Sequence, residues 1–125
     1  MKHKQDFKIL IVDDEPLVRE TMKKVLVDKG YDVLAAEDAH AALQLVRNTP
    51  VNAALLDIRL PGMNGVELFE KIKLLRPDVQ VIMMTAYEVE ELVNRAFKRG
   101  VFACLHKPFD MTKLHQLLEQ IREKV

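Results

Sequence analysis

Phe7-Lys8-Ile9-Leu10-Ile11-Val12-Asp13-Asp14-Glu15-Pro16 is a short apolar run that ends in three acids and a proline. A run of this length fits a buried strand, Phe7 to Val12. Pro16 suits the first turn of a helix, where the N–H that proline lacks would be unpaired in any case. The spacing of Leu17, Val18, Met22, Val25 and Leu26 predicts a helix with those residues facing inward, and Gly30 is placed to cap its C-terminus.

The same alternation runs to the end of the chain. Val33 to Ala36 reads as a second strand, followed by Asp38 as a cap and a helix carrying Ala39, Ala42, Leu43 and Val46 on one face, until Pro50. Ala53 to Leu56 is a third strand. The loop Leu60-Pro61-Gly62-Met63-Asn64-Gly65 leads into a helix with Leu68, Phe69, Ile72 and Leu75 inward, which stops before Pro77. Val79 to Met84 is a fourth strand. Val89, Leu92, Val93, Ala96 and Phe97 mark a fourth helix, with Lys98 and Arg99 in its last turn and Gly100 beyond. Val101 to Leu105 is a fifth strand, and Leu114, Leu117, Leu118 and Ile121 mark a fifth helix.

Near-continuous apolar strands alternating with amphipathic helices imply a parallel sheet covered on both faces. Right-handed crossovers leave few topologies for five such units. The expectation is an α/β fold: a doubly wound, flavodoxin-like five-stranded parallel sheet in the order 2-1-3-4-5, with five helices. At 125 residues the chain has the size of one domain, expected over 7–125 behind a polar tail at 1–6.

Composition narrows the function classes. Nineteen lysines and arginines balance nineteen aspartates and glutamates, which argues against a strongly basic nucleic-acid binder. A single cysteine excludes an intramolecular disulfide and a Cys-rich zinc site. No apolar run reaches the roughly 18–20 residues of a membrane span, and the polar start lacks a signal peptide's apolar stretch, so a soluble, cytoplasmic protein is expected. The four histidines have no metal-ligand spacing, and His40 and His115 are expected on helix surfaces.

In an open α/β sheet, ligands bind beyond the carboxyl ends of the strands. Asp13-Asp14-Glu15 follow the first strand there, Asp57 and then Arg59 the third, Thr85-Ala86 the fourth, and His106-Lys107-Pro108 the fifth. The first and third strands are neighbours in the expected order, so Asp13, Asp14 and Asp57 crowd one rim, with Thr85 and Lys107 further along it. Carboxylates this close need a cation to stay ionised. Oxygen donors select a hard ion such as Mg²⁺, which keeps positions for water or phosphate oxygens and so suggests phosphoryl chemistry. A carboxylate can itself be the nucleophile, and Asp57 stands alone at a central strand end. Two adjacent acids exceed what capping the first helix needs. Thr85-Ala86-Tyr87-Glu88 also fits a helix capping box.

These residues resemble the receiver domain of bacterial two-component response regulators. The resemblance rests on Asp13-Asp14, Asp57, Leu60-Pro61-Gly62-Met63-Asn64-Gly65, Thr85-Ala86 and Lys107-Pro108-Phe109, in order and each at the expected element end. It implies that Asp57 takes a phosphoryl group from a histidine kinase or phosphotransfer protein. It implies that Asp14, Asp57 and the backbone carbonyl of Arg59 bind Mg²⁺ directly, with Asp13 acting through metal-bound water. Thr85 and Lys107 would bind the phosphoryl group, with a cis bond between Lys107 and Pro108. Such a domain is a phosphoacceptor that promotes its own phosphorylation and dephosphorylation rather than an enzyme. Its fourth helix, fifth strand and fifth helix would bind a protein partner or dimerise, without contacting nucleic acid or membrane. Both a stand-alone receiver and the N-terminal part of a larger regulator, transcriptional by its wording, fit the sequence.

Two positions depart from the family pattern. Cys104 stands where receivers usually carry an aromatic residue, and Phe102, two residues earlier, is expected on the same sheet face as a partial substitute. Arg59 and Tyr87 are bulky at positions that line the path of hydrolytic water, which implies slow self-dephosphorylation. Two rivals fit less well. A flavin carrier would need a Ser/Thr/Gly-rich phosphate loop where this chain has Asp13-Asp14-Glu15. A phosphatase with an aspartate nucleophile would place an Asp-x-Asp pattern after the first strand, whereas here the acids are adjacent.

Overall fold

The computed structural model describes residues 2–86 and 90–125. Five strands are present: β1 (Lys8–Val12), β2 (Asp32–Ala36), β3 (Ala53–Asp57), β4 (Gln80–Thr85) and β5 (Ala103–His106). The helices are α1 (Pro16–Asp28), α2 (Ala39–Asn48), α3 (Gly65–Leu75), α4 (Glu90–Lys98) and α5 (Met111–Glu123), preceded by a 3-10 turn at Lys4–Asp6. All strand pairs are parallel and the order is β2-β1-β3-β4-β5, as the alternation of periods predicts.

The two-residue alternation sorts the core into two layers. Ile9, Ile11, Leu55, Ile82 and Met84 pack against Met22 and Leu26 of α1 and Leu114, Leu117, Leu118 and Ile121 of α5. Leu10, Val12, Leu56, Val81 and Met83 pack against α2, α3 and Ala96 of α4. Each fully buried aliphatic side chain contributes roughly 1.5–3 kcal/mol. β3 is buried at all five positions, so it is held from both sides.

The helix ends are built as their sequences suggest. Asp38 accepts a hydrogen bond from the Ala41 N–H at 2.8 Å, and Asp110 one from the Thr112 N–H at 2.8 Å. At the end of α1, Gly30 adopts φ +101°, and the next N–H, of Tyr31, closes back on the Leu26 carbonyl at 3.2 Å. Only glycine takes that left-handed conformation at little cost.

Several side chains depart from the periodicity. Leu17 is 81% exposed, and Leu75 and Phe97 are also exposed, because each sits at the margin of a stripe whose centre faces the sheet. Phe102 joins the α1/α5 layer while Cys104 joins the α2/α3/α4 layer, so they do not share a face. Phe102 precedes the regular strand, where alternation does not hold. His115 is half-buried rather than on the surface, with its ring edge against Tyr31 and its Nε2 shut off from solvent without a partner. Among the described residues, no helix is long and apolar enough to cross a membrane.

Candidate phosphoryl-transfer site

Strand parity sets the site. Asp13 continues the register of Ile9 and Ile11, Asp57 that of Ala53 and Leu55, and Lys107 that of Ala103 and Leu105. All three therefore emerge on the α1/α5 side at the carboxyl edge of the sheet. The Lys107 ammonium lies 2.6 Å from Asp13 Oδ2, 2.8 Å from Asp57 Oδ2 and 3.8 Å from Glu15 Oε1.

Both bridged carboxylates are buried, Asp13 completely and Asp57 to 6% exposure. Their second oxygens are also held: Asp13 Oδ1 accepts from the Glu15 N–H and Asp57 Oδ1 from the Arg59 N–H, each at 2.9 Å. Burial alone would push the Lys107 ammonium down. The hydrogen bonds and charges of Asp13 and Asp57 outweigh it and hold the ammonium above the ordinary lysine range, so Lys107 is charged at neutral pH.

Asp14 and Glu15 stay exposed beside this core. One oxygen from each of Asp13, Asp14, Glu15 and Asp57 can be chosen so that all lie within 4.8 Å of one another. An all-oxygen, strongly anionic set suits a hard divalent cation. Asp14, Glu15, Asp57, Arg59 and Ala86 line a cavity of about 320 Å³ over the carboxylates. Neither Asp13 nor Asp14 caps α1: its N-cap is Glu15, without a side-chain bond, followed by Pro16.

Thr85 is fully buried at the end of β4, and its carbonyl accepts from the Lys107 N–H at 2.7 Å. The peptide bond between Lys107 and Pro108 is cis. Tyr87, and the Glu88 of the capping-box pattern, lie outside the described residues. The loop after β3 closes on the site at Gly65, whose N–H donates to the Ile58 carbonyl at 2.7 Å. A Cβ there would lie 2.3 Å from the Asp57 carbonyl oxygen and 2.9 Å from Ile58 Cα, so only glycine fits. Asn64 caps α3 by accepting from the Glu67 N–H at 3.0 Å, and Glu67 accepts in return from Asn64 Nδ2 at 2.7 Å.

The structure brings together Asp13, Asp14, Asp57 and Lys107, with Arg59 on the cavity wall and Thr85 on the neighbouring strand end. Sequence reasoning left two contributors out. Glu15 joins the acidic group, a proximity visible only as its place next to Asp14. Arg19, in the first turn of α1, donates from Nη1 to the Asp13 carbonyl at 2.8 Å, and no local pattern announces that bond.

The chain is similar to known proteins along nearly its whole length. The sequence profile of the response regulator receiver domain matches residues 9–119. Sporulation initiation phosphotransferase F of Bacillus subtilis is 31% identical over 90% of this chain and 91% of its own length. A cyclic di-GMP phosphodiesterase of Thermotoga maritima is 35% identical over 94% of this chain but only 32% of its own length. The chain likewise spans about a quarter to a half of the length of several other curated relatives it matches. Among solved structures, the response regulator TrrA of Thermotoga maritima, in complex with Mg²⁺ and BeF, superposes with a TM-score of 0.80 at 30% identity, covering 92% of this chain and 98% of that one. With this fold and this match, the chain belongs to the response regulator receiver domain family of two-component systems.

Proposed function

We propose that Asp57 is the phosphoacceptor, with Thr85 and Lys107 as its catalytic partners, in a receiver domain spanning 7–125 behind a tail at 1–6. The observation that carries this reading is the Lys107 ammonium bridging the buried Asp13 and Asp57 while Asp14 stays exposed at the cavity. Asp57 Oδ2 is the oxygen that the Lys107 ammonium holds at 2.8 Å. That oxygen forms the new P–O bond as the P–N bond to the donor's phosphohistidine breaks, and the electron pair of the broken bond leaves on the imidazole nitrogen.

Asp14, Asp57 and the Arg59 carbonyl are suited to hold Mg²⁺, with Asp13 acting through water and Glu15 adding charge at the rim. Bound there, Mg²⁺ supplies neutralisation of the phosphoryl oxygens during transfer. Lys107, 2.8 Å from the accepting oxygen, stabilises the charge that develops beside it. Thr85 presents its hydroxyl to the phosphoryl group and carries the change into the loop after β4. A donor approaches across the apolar groove of about 470 Å³ beside Lys107, formed by Leu17, Val18, Met22, Pro108, Phe109 and Met111.

The output face is α4, β5 and α5, which binds a downstream partner, a fused effector or a second copy. The domain acts in the cytoplasm, touches neither nucleic acid nor membrane, and turns over no substrate beyond its own phosphoryl group. The test is mass spectrometry after incubation with acetyl phosphate and Mg²⁺. A single phosphoryl adduct that disappears in Asp57→Ala is expected. An adduct that persists in that variant, or none with any phosphohistidine donor, overturns the reading.

A further inference from the structure

The Asp13 carbonyl lies just past the last ladder pairing of β1, and it accepts a hydrogen bond from a side chain six residues away. Arg19 reaches from α1 and donates from Nη1 at 2.8 Å, with its side chain only 14% exposed. The other polar groups of Asp13 are engaged as well: N–H to the Ala36 carbonyl at 3.3 Å, Oδ1 by the Glu15 N–H and Oδ2 by Lys107.

We infer that Arg19 is a positioning residue for the acidic pocket, fixing the peptide unit from which Asp14 projects. The inference rests on the reading of Asp13, Asp14 and Asp57 as the Mg²⁺ site. A peptide group is planar, so pinning the Asp13 carbonyl oxygen also fixes the direction of the Asp14 N–H and Cα. Asp14 itself is exposed. A guanidinium suits this task because its planar fork loses little freedom in holding one geometry. Its positive charge, held at the Asp13 carbonyl, also eases the mutual repulsion of the carboxylates.

A side chain that merely satisfied a buried carbonyl would change stability alone. A positioning residue changes metal affinity, as outer-shell partners of metal ligands do by about 10–100-fold. The test uses the full chain and three substitutions: Arg19→Met, Arg19→Lys and Asp14→Asn. Mg²⁺ affinity is read by calorimetry, and the Mg²⁺ dependence of acetyl phosphate labelling is read alongside it. In Arg19→Met, Mg²⁺ affinity and half-saturation are expected to weaken about tenfold, the low end of that range. Its labelling rate at saturating Mg²⁺ is expected to stay within about twofold of wild type, well short of that tenfold change. Arg19→Lys, which keeps the charge and a donor, falls between.

Equal Mg²⁺ affinity in wild type and Arg19→Met overturns the inference, as does a saturated rate that falls as far as the affinity. If Arg19→Met does not fold, an Arg19→Lys protein with wild-type Mg²⁺ affinity overturns it and a weakened one supports it. Asp14→Asn separates the two levels of the argument. If it leaves Mg²⁺ affinity unchanged, the metal-site reading fails and the inference falls with it. If it weakens binding and the Arg19 variants do not, only the inference fails.

Discussion

Gly65→Ala is the substitution for which propensity and packing disagree in sign. Gly65 opens α3, and alanine in place of a helical glycine is worth about 0.5–1 kcal/mol in favour of the helix. The new Cβ, however, would lie 2.3 Å from the Asp57 carbonyl oxygen, 2.9 Å from Ile58 Cα and 2.9 Å from Met83 Cε. The methionine can yield, but the two backbone atoms lie at Asp57, the last residue of β3, which is buried on both faces, and at Ile58 just beyond it. Restoring an ordinary contact means a shift of roughly 1 Å at the oxygen. Overpacking of this kind costs about 1–3 kcal/mol, so the net effect is a loss of about 1–2 kcal/mol. The unfolding entropy of a chain this size is about 0.26 kcal/mol/K, which makes that a fall in Tm of about 4–8 °C. The atoms that move belong to Asp57 and its neighbour, and a misplacement of about 1 Å costs on the order of 100-fold in rate. Thermal unfolding by circular dichroism and the rate of acetyl phosphate labelling check both parts. A Tm equal to or above wild type with an unchanged labelling rate would refute the reasoning.

Three other outcomes follow from the same structure. Lys107→Met leaves Asp13 and Asp57 paired without their ammonium, at a cost of about 2–4 kcal/mol at neutral pH. A denaturation midpoint like wild type's at pH 7 would count against it. His115 is held below the ordinary histidine value, first by burial and then by Lys29, with Lys4 and Arg122 adding to it and Glu119 opposing. Its stabilising contribution is therefore complete above the unfolded value of 6.5 and declines as pH falls through it. Urea midpoints at neutral and mildly acidic pH should show a smaller acid loss in His115→Phe, and equal losses would remove His115 from the account. Arg59→Ala should speed decay of the aspartyl phosphate about threefold or more by opening the cavity wall to in-line water; an unchanged half-life would show that the arginine does not obstruct it.

The fold was legible because two periods, 2 and 3.6, alternate along the chain with few exceptions. The central site was legible for a related reason. Asp13, Asp57 and Lys107 each continue the parity of a buried strand by one or two residues, so the rule that places Ile11, Leu55 and Leu105 also places them. Where the backbone leaves that regime the reading weakens. Glu15 sits in a turn, Arg19 reaches the site across six residues, and Phe102 precedes its strand and joins the opposite layer from Cys104. Gly65 reads as a loop glycine, yet its role is close approach to the Asp57 backbone, which becomes visible only when the two segments are placed together.

The attachment of the helices explains why the proposed switch should work through α4. A switch needs an element with two arrangements of similar energy, and these come from the weakly held parts of a fold. The α5 helix buries Leu114, Leu117, Leu118 and Ile121, and its C-terminal half is tied down further. There the Tyr31 hydroxyl donates to Glu119, Arg122 holds both oxygens of Glu119, and Arg122 also donates to the Lys2 carbonyl at 2.7 Å. Arg122 keeps Glu119 ionised to about pH 2, so this anchor persists across the working range. In α4, Ala96 is the one buried side chain among the described residues, Leu92 and Val93 pack only partly buried against the core, Phe97 is half-exposed, and Arg95 pairs with Glu70 of α3 at 2.7 Å. An exposed pair of that kind is worth no more than about 1 kcal/mol. Shifting α4 therefore gives up less than shifting the lower half of α5, which breaks a connected network and uncovers buried side chains. Thr85 at the end of β4 is seven residues before Leu92, so a pull at Thr85 meets its smallest resistance in the helix that follows.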